Sequence, residues 1–233
     1  MSRIRIVALA LAGLAASIAF PRDVRAATHV TVPLECSKGP SGQHFDAFVT
    51  MPTKVASGGI VIVRIDGMTS AKLSQTGLNF IHDMTSEYLV PAGTTYVEGS
   101  AKIIPDTGTE NVRDGATVTH DNGVIRLKLP AQVKEGTSYA PPSFEVQFKV
   151  TAAPGATVAF PFQQFRVTAN AFVVGDIRVR CDPTPKPFTL GKTAVVASPL
   201  PVSAIARPVR IPAPRARPGA RAPRATGRVR NPR

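Results

Sequence analysis

"ATVTHDNGVIRLKL", Ala116 to Leu129, decides the fold class. Val118 and His120 sit on one side of an alternating run, Asn122-Gly123 interrupts it, and Val124 to Leu129 carries the alternation back. A period of two belongs to a strand with one buried face, because successive side chains point to opposite sides. Asn-Gly between two such runs marks a tight hairpin, since both central residues of that turn must take positive φ.

The same period recurs on either side. "THVTVPLEC" alternates Val30, Val32 and Leu34, and "GGIVIVRID" is a short apolar run behind two glycines. "SFEVQFKVTA" sets Phe144, Val146, Phe148 and Val150 against Glu145, Gln147 and Lys149. "TVAFPFQQFRVTANAFVV" and "DIRVRC" supply further strands, and no stretch shows a convincing amphipathic helix. "TSAKLSQTGLNFIHDM", Thr69 to Met84, fits neither period cleanly and reads as a loop running into a strand. Short strands broken by Gly, Pro, Asn and Asp predict an all-β chain, with two sheets burying their inner faces as a β-sandwich. The absence of Trp sets it apart from antibody domains, which bury one beside their disulfide.

The charge is unevenly placed. The whole chain of 233 residues carries +13. Residues 183–233 hold Lys186, Lys192 and nine arginines with no acid, a net of +11, whereas residues 27–182 are close to neutral at −1. Eleven of the 22 prolines also lie beyond residue 182. A segment so rich in proline and like charge buries too little apolar surface to offset its ordering entropy. The expected organisation is a signal peptide over 1–26, a β-sandwich domain over 27–183 and a disordered Pro/Arg-rich tail over 184–233, with disorder from about residue 190.

The first segment has the form of a secretory leader. Arg3 and Arg5 precede an uncharged apolar run from Ile6 to Phe20, and "VRA", Val24 to Ala26, supplies a cleavage context. The run is short for a membrane span, and an uncleaved anchor is the other reading. In an exported protein an even cysteine count reads as a disulfide, so Cys36 and Cys181 are expected to bridge and to tie the first and last strands together. The protein is therefore expected outside the cytoplasm, secreted or associated with the cell envelope.

A resemblance enters at "YLVPAGTTYVEGSAK", Tyr88 to Lys102. It is similar to the "LPxGxxYvxGSA" stretch of the conserved repeat domain of bacterial surface proteins. There that stretch is followed by a hairpin strand, here Asn122 to Pro130, then by Gly136-Thr137-Ser138 and the strand Phe144 to Val150. The order matches over roughly residues 80–152. Two cysteines around one such domain also resemble a group of small secreted actinobacterial proteins. The resemblance implies an extracellular immunoglobulin-like β-sandwich, often adhesive or wall-associated. This chain has one such domain and no LPxTG-type motif, so covalent wall attachment is not expected.

Residues able to do chemistry are few. The histidines are His29, His44, His82 and His120. His82-Asp83 and His120-Asp121 are neighbours on strands, where adjacent side chains diverge, so neither pair suits an oriented dyad. His120 reads as an exposed residue beside the turn. No GxSxG, HExxH or P-loop pattern occurs. "PDTGTENVRDG", Pro105 to Gly115, offers oxygen ligands, but its spacing is not that of an EF-hand and Arg113 opposes a cation, so a solvated loop is expected. No catalytic residue, metal or cofactor is assigned.

The tail arginines Arg207, Arg210, Arg215, Arg217, Arg221, Arg224, Arg228, Arg230 and Arg233 are the candidate anion-binding residues. Guanidinium groups pair bidentately with phosphate and carboxylate. Anionic envelope polymers or lipid head groups are the candidate partners of the tail, a disordered extension with no selected partner being the other reading, and a protein is the candidate partner of the sandwich. No aromatic residue follows Phe188, so nucleic-acid stacking is not on offer. The expected function is a non-enzymatic binding or structural module. A secreted enzyme with an unrecognised site, or an effector with a releasable Pro/Arg tail, are the alternatives.

Overall fold

The computed structural model describes residues 27–39 and 41–198. They form β1 (Ala27–Cys36), β2 (Gln43–Thr50), β3 (Lys54–Ala56), β4 (Ile60–Gly67), β5 (Leu78–Leu89), β6 (Thr94–Tyr96) and β7 (Lys102–Ile103). One helical turn, α1 (Glu110–Arg113), precedes β8 (Thr117–Asp121), β9 (Val124–Leu129), β10 (Val133–Lys134), β11 (Phe144–Val150), β12 (Thr157–Ala171), β13 (Gly175–Pro183) and β14 (Phe188–Val196). The Asn-Gly hairpin forms as read: β8 and β9 pair from Thr117↔Lys128 to Asp121↔Val124, and Asn122 and Gly123 have φ of 48° and 75°.

The strands pair in the order β6-β11-β4-β2-β1-β13-β12-β5-β9-β8, antiparallel along this path. The sheet curls so that its two halves face one another, the β1–β13 pairing making the corner. Apolar side chains at alternate positions meet inside. Phe144 of β11 lies 5.3 Å from Tyr88 of β5, and Phe148 of β11 lies 5.8 Å from Phe160 of β12. Phe45 of β2 stacks on Phe162 of β12 at 5.6 Å. These contacts cross the layers, so the all-β sandwich expected from the alternation is the observed fold. Full burial of each large aromatic stabilises it by about 2–3 kcal/mol before entropy is set against it.

Cys36 and Cys181 are bonded, and they sit directly opposite one another in the β1–β13 register. They do not tie the first strand to the last, because β14 follows. The folded region therefore does not stop at Pro183. β14 runs Phe188–Val196, pairs antiparallel with β12 and parallel with β3, and buries Leu190, Thr193 and Val195. Composition concealed it: Pro185 and Pro187 lie in the connection before β14, and the strand itself contains no proline. Residues 1–26 and the tail from residue 199 onward, with all nine candidate arginines, lie outside the described residues.

The stretch Pro105 to Gly115 also departs from a solvated loop. It contains α1, whose Val112 is fully buried, and Arg113 Nη1 stands 3.7 Å from Asp106 Oδ1.

Candidate functional site

The long strand β12 creates the main surface feature, through three irregularities in its pairing with β5, the last between Asn170 and Ala171. Tyr88 pairs with Phe162 but Glu87 pairs with Gln164, so β12 takes two steps where β5 takes one. This bulge turns Gln164 to the outer face and brings Phe165, Val167 and Ala169 onto the inner one. Further along, Thr85 pairs with Arg166 and His82 with Thr168, three steps on β5 against two on β12, with Asp83 at φ 50°.

Beyond the bulges the β12–β13 hairpin outruns the opposite layer. Its inner face, with Phe165, Val167, Ala169, Ile177 and Val179, stays only partly buried. This face floors an open trough of about 780 Å³. One wall is the segment Met68–Gly77, the other is the turn between β1 and β2, and the disulfide closes one end. The segment is pinned: Ser70 N–H donates to Tyr139 O at 2.7 Å, and Leu73 N–H donates to Thr137 O at 2.9 Å. Lys38 and Lys72 stand on the walls. At the hairpin tip Phe172, Val173 and Val174 are 74%, 94% and 66% exposed. Three adjacent large apolar residues at a turn, where polar residues normally sit, are unusual for a soluble surface.

The trough is not legible in the sequence alone. A signal was present: "AFVV" breaks the alternation of Phe165, Val167 and Ala169 immediately before Gly175-Asp176. The alternation itself does not reveal whether a second layer covers the strand.

The histidines fall into three settings. His29 and His44 flank Asp46 on the outer face of β1 and β2, with Nε2 atoms 3.3 and 3.1 Å from its two carboxylate oxygens. Thr31 Oγ1 donates to the same carboxylate. The group lines a shallow depression of about 700 Å³ beside the β1–β2 turn. Both rings are about half exposed, and three donors already surround Asp46, so no hydroxyl is left facing an oriented base.

His82 differs from its expected placement. Its Nδ1 lies 2.9 Å from Asp83 Oδ2, because the positive φ of Asp83 bends the strand and lets neighbours meet. Its Nε2 lies 3.5 Å from Asp176 Oδ2. Asn170 Nδ2 donates to Asp176 Oδ1 at 2.7 Å and, with His82, holds that carboxyl below the usual carboxylate range. His120 is not an exposed turn residue: its ring stacks on Tyr96 at 4.0 Å and is 18% exposed. Among the described residues no three His, Cys, Asp or Glu side chains are grouped to hold a metal ion.

One carboxylate is buried. Glu87 accepts from Gln164 Nε2 and from Arg126 Nε at 3.1 Å, with Arg166 Nη2 at 3.9 Å. Burial pushes its pKa up, but the hydrogen bonds from Gln164 and Arg126 outweigh this and hold it below the ordinary carboxylate range. This network spans β5, β9 and β12, and is a structural tie rather than a site.

No family model matches the chain, and no curated protein matches it. Several solved structures resemble it in fold. One is a Corynebacterium diphtheriae protein described as membrane-anchored, 15% identical with a TM-score of 0.45, covering 74% of this chain and 38% of that one. A second is the C-terminal domain of the Streptococcus pyogenes antigen I/II-family protein AspA, 15% identical with a TM-score of 0.35, covering 65% of this chain and 46% of that one. A third is the collagen-binding domain of a Staphylococcus aureus adhesin, 10% identical with a TM-score of 0.30, covering 72% of this chain and 99% of that one. The chain thus spans less than half the length of the first two.

Proposed function

We propose that this is an exported, non-enzymatic binding module of the bacterial cell surface, and that the trough is where it takes a protein partner. The observation that carries this reading is the open apolar floor of β12 and β13, continued by the exposed Phe172–Val174 tip. A surface of this kind loses water on contact and gains about 25 cal/mol for each Å² of apolar area covered. The cations Lys38 and Lys72 on its walls favour a partner with acidic residues flanking its apolar ones. The leader-like first 26 residues and the disulfide are in keeping with an exported protein. The resemblance to the conserved repeat domain of surface proteins fits the same reading.

The nine tail arginines, Arg207 to Arg233, are assigned a separate role: electrostatic retention at anionic envelope polymers or lipid head groups. Intact envelopes of the host organism test both roles. Val167→Asp with Phe172→Ser is expected to abolish salt-resistant binding while the fold is kept. Deleting residues 199–233 is expected to remove only the salt-sensitive part. Unchanged salt-resistant binding of the trough variant would sink the trough reading. Retention that ignores both salt and the tail would sink the other.

A further inference from the structure

The edge of β13 is open where the trough ends. Arg180 turns its backbone toward β1: its N–H donates to Ser37 Oγ at 3.1 Å, and its carbonyl accepts from Ser37 N–H at 2.8 Å. By the two-residue repeat, the backbone groups of Arg178 and Asp176 point the same way. β1 pairs with β13 only through Leu34, Glu35 and Cys36, so among the described residues no strand meets Asp176 or Arg178 on that side. Their side chains are exposed, and Arg178 has no ion-pair partner among the described residues. An unpaired edge invites another strand.

The charges on this edge select the strand. An edge guarded against association carries one sign and repels its own copy. Here the open stretch carries one charge of each sign, Asp176 and Arg178. Antiparallel pairing of two copies of β13 about a two-fold axis permits a small set of registers. Centring on Asp176 sets carboxylate against carboxylate, and centring on Arg178 sets guanidinium against guanidinium. Centring on Ile177 sets each Asp176 opposite the second copy's Arg178. In that register Asp176 and Arg178 form the hydrogen-bonded pairs, as the direction of their backbone groups requires. Pairing then runs Gly175–Val179 and ends where Ser37 already occupies Arg180.

We propose that the protein is a homodimer joined through this edge, with Gly175–Val179 of two copies paired antiparallel about Ile177. Asp176 and Arg178 form two symmetric cross-strand ion pairs on the outer face, and the two Ile177 side chains meet on the trough side. The arrangement is isologous, as a two-fold contact must be. It carries each exposed Phe172–Val174 tip toward the Ser37 turn of the second copy. Two troughs then lie side by side, so one partner surface is engaged twice. The dimer does not depend on what the trough binds.

Five residues per edge make a small interface, so a dissociation constant on the order of 10 μM is expected. Sedimentation equilibrium of the purified protein over a concentration series reads it. Arg178→Asp is expected to weaken the dimer at least ten-fold, because it sets two acids against each other at both ends. Asp176→Arg does the same with two bases. The exchanged pair, Asp176→Arg with Arg178→Asp, restores the dimer. Because Asp176 also meets Asn170 and His82, thermal unfolding of each variant separates lost pairing from a lost fold, and Arg178→Asp alone touches no such contact. A monomer at every concentration, a dimer indifferent to Arg178→Asp, or a folded exchanged pair that stays monomeric would each overturn the proposal.

Discussion

The two halves of β12 carry the same apolar alternation and end in different surroundings. Val158, Phe160 and Phe162 are fully buried against β5, β11 and β2. Phe165, Val167 and Ala169 repeat the pattern a few residues later and remain partly open. The difference lies not in the residues but in what stands across from them. Opposite the first half is a complete layer. Opposite the second are a pinned segment, Met68–Gly77, and the end of a hairpin. An alternating run predicts a strand with one buried face, and the cover over that face is decided elsewhere in the chain.

Substitution in the two halves tests this directly. Phe160→Ala opens a cavity in a layer that cannot collapse around it, and is expected to cost about 3–5 kcal/mol in urea unfolding. Val167→Ala removes less and faces a site that water already reaches, so about 1 kcal/mol or less is expected. Equal costs would mean that the trough is covered in solution.

The disulfide comes next in size. It closes a loop of 145 residues and stands at the junction of the two halves. Chain-entropy reasoning puts its contribution near 5 kcal/mol as an upper figure, and removal of native bridges typically costs about 2–5 kcal/mol. Cys36→Ser with Cys181→Ser should therefore lower the urea midpoint strongly. Hydrogen exchange should show the loss concentrated at the β1–β13 corner and the trough rather than in the aromatic core.

Much of this architecture was legible beforehand. Asn122-Gly123 specified a hairpin, and the alternation of Phe144 to Val150 and Val158 to Phe162 specified buried strands, because these signals are local. The cysteine pairing was legible because two cysteines leave one pairing. What was not legible depends on register. The bulge at Gln164 and the one at His82-Asp83 are properties of two strands taken together, and neither strand alone announces them. β14 was hidden by the prolines that precede it. The trough follows from these same register shifts and the open edge from the short pairing of β1 with β13, through Leu34, Glu35 and Cys36 alone, and for that reason the candidate site was the least readable part.

Glu87 offers the finest test, since it sits where the first bulge turns Gln164 outward to meet it. Its carboxyl is held below the ordinary range in the folded protein, so the unfolded chain takes up a proton first as pH falls. The stability from this group is thus complete above the unfolded value near 4.5 and is lost as pH drops through the lower, folded value. Glu87→Gln should cost about 1–3 kcal/mol at neutral pH, where the charge-assisted hydrogen bond from Arg126 and the ion pair with Arg166 are lost. Below pH 4.5 the gap between wild type and variant should narrow, read as converging urea midpoints across an acid series. A gap that stays constant through that range would mean that Glu87 titrates alike in both states, and that Gln164 is turned outward by backbone register alone.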